Sequence, residues 1–112
     1  MKRVLLADDD DALRSALSLL LQTRLGVTVI AEASSMEVTL DAAHAAQPDL
    51  ILLDWELPGE PRLRRIEALR SAAPNARLIV ASARPEAAQQ ALADRADAFV
   101  NKTDPPEVIL AL

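Results

Sequence analysis

The stretch Pro48-Asp49-Leu50-Ile51-Leu52-Leu53-Asp54-Trp55-Glu56-Leu57-Pro58-Gly59 decides how this chain folds. Its apolar run from Leu50 to Leu53 ends on a carboxylate, Asp54, and the loop-forming pair Pro58 and Gly59 follows shortly after. A short, continuous apolar run of this kind reads as a strand of a parallel sheet buried on both faces, and open parallel sheets gather their ligand sites at the carboxyl ends of the strands. Three further apolar runs end in the same way. Val4 to Ala7 ends on Asp8 and Asp9, Leu78 to Ala81 on Ser82, and Ala98 to Val100 on Asn101 and Lys102. If all these strands are parallel, the polar groups meet at one edge of the sheet.

Working outward, Lys2 to Asp8 reads as a central strand. Asp11 is the expected N-cap of a first helix whose apolar face carries Leu13, Ala16, Leu17, Leu20 and Leu21, with Gly26 as its stop. Val27 to Ala31 reads as a second strand, and Ser35 caps a helix carrying Val38, Leu40 and Ala43 that Pro48 ends. After the Asp54 strand, Leu63, Ile66 and Leu69 mark a third helix, with Arg62, Arg64, Arg65 and Arg70 as its solvated face. Ala76 to Ser82, Pro85 to Ala93 and Asp97 to Asn101 read as strand, helix and strand. Asp104, with Pro105 and Glu107, starts a last helix that looks truncated at Leu112.

Strands alternating with helices over short loops imply one α/β domain, residues 1–112. The expected fold is a flavodoxin-like, doubly wound, five-stranded parallel sheet of order 2-1-3-4-5 with helices on both faces. That order sets the first and third strands side by side, which collects Asp8, Asp9 and Asp54.

Composition narrows the function. Twelve basic against 17 acidic side chains give a net charge of -5, and aromatic residues make up 2% of the chain. Both features oppose direct nucleic-acid binding by this segment. There is no cysteine, hence no thiol chemistry. No apolar run approaches the roughly 18 residues of a membrane span, so the expectation is a cytoplasmic chain with no membrane contact.

Three carboxylates close together raise one another's pKa, and a hard divalent cation resolves the conflict. Carboxylate oxygens, a backbone carbonyl and water suit Mg²⁺, which commonly shares its site with a phosphate. Lys102 could neutralise phosphoryl oxygens as a point charge and the Ser82 hydroxyl could donate to one. Asp54 would then be the nucleophile that forms an acyl phosphate.

Over essentially its whole length the sequence resembles the receiver domain of two-component response regulators. The resemblance rests on the Leu-Ala-Asp-Asp opening, on Asp54 within Leu-Leu-Asp-Trp-Glu-Leu-Pro-Gly, on Ser82-Ala83, and on Phe99 ahead of Lys102. It implies that Asp54 accepts phosphate from a sensor histidine kinase or phosphotransfer protein. It implies that Asp9, Asp54 and the backbone carbonyl of Glu56 bind Mg²⁺ directly, with Asp8 acting through metal-bound water. Ser82 and Lys102 would contact the phosphoryl group, and Phe99 would be an aromatic switch that follows Ser82. A downstream output domain or protein, and a phosphorylation-dependent dimer, are the implied partners. The run Ala31 to Ser34 is similar to receivers that carry a helix-turn-helix output domain, and nothing in these residues reads as such a domain.

The sequence also departs from the family pattern. Pro61 and Arg62 stand where a glycine is usual at the start of the third helix, and Thr103 follows the lysine where a proline is common. Such a domain is not an enzyme beyond self-phosphorylation from small donors and slow self-dephosphorylation. Two alternatives stay open: a receiver-like binding module that works without phosphate, and a small phosphohydrolase with Asp54 as nucleophile and Glu56 as acid. Glu56 and Arg84 lie two residues after the acceptor and the hydroxyl, and the sequence leaves open whether they pair.

Overall fold

The computed structural model describes residues 2–105 and Val108. Within them the elements run β1 (Arg3–Ala7), α1 (Asp11–Leu25), β2 (Thr28–Ala33), α2 (Met36–Ala46), β3 (Leu50–Asp54), α3 (Arg65–Ala72), β4 (Arg77–Ser82), α4 (Ala87–Ala93) and β5 (Ala98–Asn101). All strand pairs are parallel and the order is β2-β1-β3-β4-β5. The expected topology therefore holds. The expected last helix lies outside the described residues, apart from Asp104, Pro105 and Val108 at its start.

Strand side chains alternate between faces, and the two cores follow that alternation. Leu5, Ile51, Leu53, Leu78 and Val80 point to one face and pack under Met36 and Ala43 of α2, Ile66 and Leu69 of α3, and Ala91 of α4. Val4, Leu6, Leu52, Ile79 and Ala81 point to the other and meet Leu17 and Leu21 of α1. Each of Leu5, Ile51, Leu53, Leu78 and Val80 is fully buried. At about 25 cal/mol per Å² of apolar surface, each such side chain contributes about 1.5–3 kcal/mol.

Several expectations need correction. The N-cap of α1 is Asp10, not Asp11. Its backbone is extended and its side chain accepts from the N–H of Leu13, whereas Asp11 is the first helical residue and pairs with Arg14 at 2.8 Å. Gly26 ends α1 in the left-handed conformation, φ 65°, as expected, and Ser35 caps α2 through the Val38 N–H. Ala16 and Val38 are exposed, and the buried face of α2 is instead Met36, Thr39 and Ala43. Leu63 precedes α3 and is exposed. Arg65, expected among solvated arginines, is buried on the same stripe as Ile66 and Leu69.

That buried arginine organises the loop after β3. Its guanidinium donates to the carbonyls of Pro61 at 2.8 Å, Gly59 at 2.9 Å and Trp55 at 3.4 Å. From the other side, Glu37 accepts from the Glu60 N–H at 2.8 Å, and Pro58 accepts from the Met36 N–H at 2.8 Å. Gly59 sits at φ +105°, and a Cβ there would run into the Glu37 carboxylate. The cis peptide among the described residues is Glu60–Pro61; none follows Lys102.

Candidate phosphoacceptor site

The pairing of β1 with both β2 and β3 carries Asp8 and Asp54 to the same edge. Ala7 pairs with Leu53, and the next residue on each strand is an acid. The Asp8 N–H donates to the Ala33 carbonyl at 2.9 Å, extending the ladder to the point where the chain turns into α1. On the other side of β3, Trp55 N donates to the Ala81 carbonyl and Lys102 N to the Ser82 carbonyl, which brings the ends of β4 and β5 to the same edge.

Asp8 and Asp54 are buried and Asp9 is exposed. The three each offer a carboxylate oxygen within 4.8 Å of the others, so the cluster can hold a metal ion. Its donor set is hard oxygen throughout, which fits a cation such as Mg²⁺ or Ca²⁺ rather than a thiophilic metal. Lys102 Nζ lies 2.7 Å from Asp8 Oδ2 and 3.1 Å from Asp54 Oδ1. Asp8 Oδ1 accepts from the Asp10 N–H at 2.9 Å, and Asp54 Oδ1 accepts from the Glu56 N–H at 3.0 Å. The Asp8 carbonyl takes Arg14 Nη1 at 2.6 Å.

Burial pushes the Asp54 carboxyl above the usual carboxylate range; the Glu56 N–H and Lys102 pull against that, and Asp8 adds to it. For Lys102, burial alone would lower the ammonium pKa, but the hydrogen bond to Asp8 and the charge of Asp54 outweigh it and leave it raised. The lysine is thus held charged against two buried acids. Beside them a cavity of about 40 Å³ opens, lined in part by Leu6, Leu52 and Val100.

Ser82 and Glu56 form an arrangement that sequence alone left open. Ser82 is fully buried, and its Oγ donates to Glu56 Oε1 at 2.7 Å while accepting from the Arg84 N–H at 3.0 Å. Glu56 Oε2 pairs with Arg84 Nη2 at 3.1 Å. Both oxygens of Glu56 are therefore engaged at the rim. Phe99 is half-buried on β5 and packs against the core beneath α4. Trp55 is likewise half-buried, with Nε1 donating to Gln90 of α4 at 3.2 Å. His44 is exposed in the last turn of α2, away from the acids.

The profile of the response regulator receiver domain matches residues 4–112, and the chain belongs to that family of two-component signalling domains. It is 35% identical over 109 residues to the nitrate/nitrite response regulator protein NarL of Escherichia coli K12, which covers 96% of this chain and 50% of that protein. The chain thus spans about half the length of the curated relatives it matches. Among solved structures it is similar to the signal receiver domain of the response regulator NarL from Mycobacterium tuberculosis. That pair has a TM-score of 0.85 at 28% identity, covering 98% of this chain and 94% of that one. A response regulator from Burkholderia pseudomallei, solved with a phosphorylated aspartic acid, a calcium ion and citrate, superposes with a TM-score of 0.84. It shares 28% identity, covering 99% of this chain and 65% of that one. No helix among the described residues is long and apolar enough to cross a membrane.

Proposed function

We propose that Asp54 is the phosphoacceptor of this receiver domain and that a sensor histidine kinase or phosphotransfer protein is its donor. The observation that carries the reading is the convergence of Asp8, Asp9 and Asp54 opposite the Lys102 ammonium. A carboxylate oxygen of Asp54 forms a new P–O bond as the P–N bond of the donor phosphohistidine breaks. The imidazole nitrogen leaves with the electron pair and takes a proton from solvent. Asp9, Asp54 and the Glu56 carbonyl would hold Mg²⁺ directly. Asp8, with both oxygens already taken by Asp10 and Lys102, is suited to act through a water. Bound there, Mg²⁺ supplies positive charge that offsets repulsion between the acids and an incoming phosphoryl group.

Lys102 neutralises phosphoryl oxygens, and Ser82 donates to one after its hydroxyl leaves Glu56. That exchange would move the loop before α4, and Phe99 on β5 would relay the change to a partner face on α4 and β5. The shift is between two populated states of the domain. The receiver would act in the cytoplasm upon an output domain or protein, with a dimer formed on phosphorylation. It would bind no nucleic acid itself and would be no enzyme beyond its own phosphate chemistry. The relatives' double length and the phosphorylated aspartic acid in the Burkholderia structure support this reading.

Incubation with phosphoramidate and Mg²⁺ tests it. Intact mass should rise by one phosphate, and the gain should vanish in Asp54→Asn and on chelation. An Asp54→Asn chain phosphorylated at the unaltered rate would overturn the assignment.

A further inference from the structure

The turn from β1 into α1 carries two of the three clustered acids, and they are held very differently. Asp8 is tied through its backbone and its side chain. Its N–H donates to the Ala33 carbonyl at 2.9 Å, one carboxylate oxygen accepts from the Asp10 N–H at 2.9 Å, and the other lies 2.7 Å from Lys102 Nζ. Asp9 is exposed, and among the described residues its carboxylate makes no hydrogen bond or ion pair. Where that carboxylate stands therefore depends on the backbone that presents it. The peptide unit joining Asp8 to Asp9 is planar, so whatever fixes the Asp8 carbonyl also fixes the direction in which Asp9 leaves.

The group on that carbonyl is Arg14, in the first turn of α1. Its Nη1 donates to the Asp8 carbonyl at 2.6 Å, its Nη2 to Asp11 Oδ1 at 2.8 Å, and its Nε to Glu32 Oε1 near the end of β2 at 3.0 Å. Although charged, the side chain is only 16% exposed. All three guanidinium nitrogens are engaged, on three different segments, so the plane of the group is fixed. The rigid, planar fork of an arginine suits this task, where the point charge of a lysine would not. Asp11 and Glu32, which balance its charge, stand outside the metal cluster. The contact with the Asp8 carbonyl is thus a directed one rather than a by-product of attraction to the clustered acids.

We infer, on the reading of these acids as a metal site and independently of phosphoryl transfer, that Arg14 is a positioning residue for the metal. Through the Asp8 carbonyl it sets the Asp8–Asp9 peptide, and with it the placing of the Asp9 carboxylate within reach of Asp8 and Asp54. Groups that orient metal ligands from behind are worth about 10–100-fold in metal affinity. Sign separates this role from plain electrostatics. A guanidinium repels a divalent cation, so by charge alone its removal would tighten the site, the more so as Asp11 and Glu32 would lose their partner. Positioning requires the opposite: a weaker site after the loss of a positive charge.

The probe is Mn²⁺, a hard cation that suits the same oxygen donors. Its binding to the whole chain, without any phosphodonor, is followed by the electron paramagnetic resonance of the free ion. Arg14→Met should bind Mn²⁺ about ten-fold more weakly than the unaltered chain, each measured well below its own melting temperature. In the metal-free protein the carbonyl-carbon resonance of Asp8 and the amide-nitrogen resonance of Asp9 should move in the variant, because they belong to the peptide that loses its donor. Those of Asp54 and Glu56 should stay. Equal or tighter Mn²⁺ binding by Arg14→Met, or unmoved Asp8 and Asp9 resonances, would overturn the inference. An unaltered chain that takes up no Mn²⁺ would overturn the metal reading itself and the inference with it. Should Arg14→Met fail to fold, Arg14→Gln keeps a good helix former whose shorter side chain falls short of the carbonyl; equal or tighter binding there would be equally fatal.

Discussion

Two loops leave the sheet side by side at the ends of β3 and β4, and they are secured in opposite ways. The Trp55–Arg64 loop is bound from beneath by a buried guanidinium on three carbonyls and from the side by Glu37, and it sinks Leu57 into the core. The loop 83–86 is exposed throughout, and its link to the neighbouring loop runs through one carboxylate, Glu56, shared between Ser82 and Arg84. The first loop is over-determined and the second hangs on a polar contact that a competing anion can displace. Under the proposed function, this asymmetry would let the domain hold its acceptor still while a neighbouring segment moves.

The largest test of the contrast is Arg65→Met. It leaves the carbonyls of Pro61, Gly59 and Trp55 without their charged donor and should destabilise the fold by about 3 kcal/mol. Urea unfolding measures this, and a loss no larger than that of an exposed arginine would erase the claimed difference. Gly59→Ala comes next. Its φ of +105° should cost about 1–3 kcal/mol by the same measurement.

Removing the Glu56–Arg84 pair should act differently. An exposed pair contributes only about 0–1 kcal/mol, so Glu56→Ala and Arg84→Ala should barely move stability. If, under the proposed function, the pair hinders water from reaching a phosphate on Asp54, each should instead shorten the phosphate lifetime, with no further loss in the double variant. Additive effects would show that the two side chains act independently. Amide exchange on the same variants should quicken at 83–90 and stay unchanged at 57–60.

The smallest effect is one of pH. The Glu60 N–H, with further hydrogen bonds, holds the Glu37 carboxyl below its ordinary range. A carboxyl lowered in the folded state adds stability above its unfolded pKa of about 4.3, and that stability is lost as pH falls through the folded value. Glu37→Gln should flatten this acid limb in urea midpoints taken between about pH 3 and 6. An identical limb in both chains would remove Glu37 from the account of the loop.

The sheet and most of the site were legible because apolar runs that stop abruptly on polar groups have one good reading in a parallel sheet. Asp8, Asp54, Ser82 and Lys102 each sit at such a stop, and strand order alone brings them together. Arg65 was not legible as a buried residue, since its burial depends on carbonyls that a folded loop turns toward it. One signal was present: Arg65, Ile66 and Leu69 stand one, three and four residues apart, on one stripe of a helix. Asp10 displaced Asp11 as the cap because Asp8 fixes the Asp10 N–H, a contact invisible until the turn exists. The Ser82–Glu56 bond was hidden for a related reason, as it joins loops that follow different strands.

The position of Lys102 just past β5 ties the readiness of the site to the stability of an edge. β5 has four residues and a neighbour on one side only, whereas the acids stand on β1 and β3 at the centre of the sheet. Edge strands open locally at lower free energy than the strands they flank. Each such opening would carry off the ammonium and leave Asp8 and Asp54 facing each other uncompensated while the rest of the domain stays folded. Under the proposed function, fraying of this short strand would lower the fraction of molecules able to receive a phosphoryl group, ahead of global unfolding.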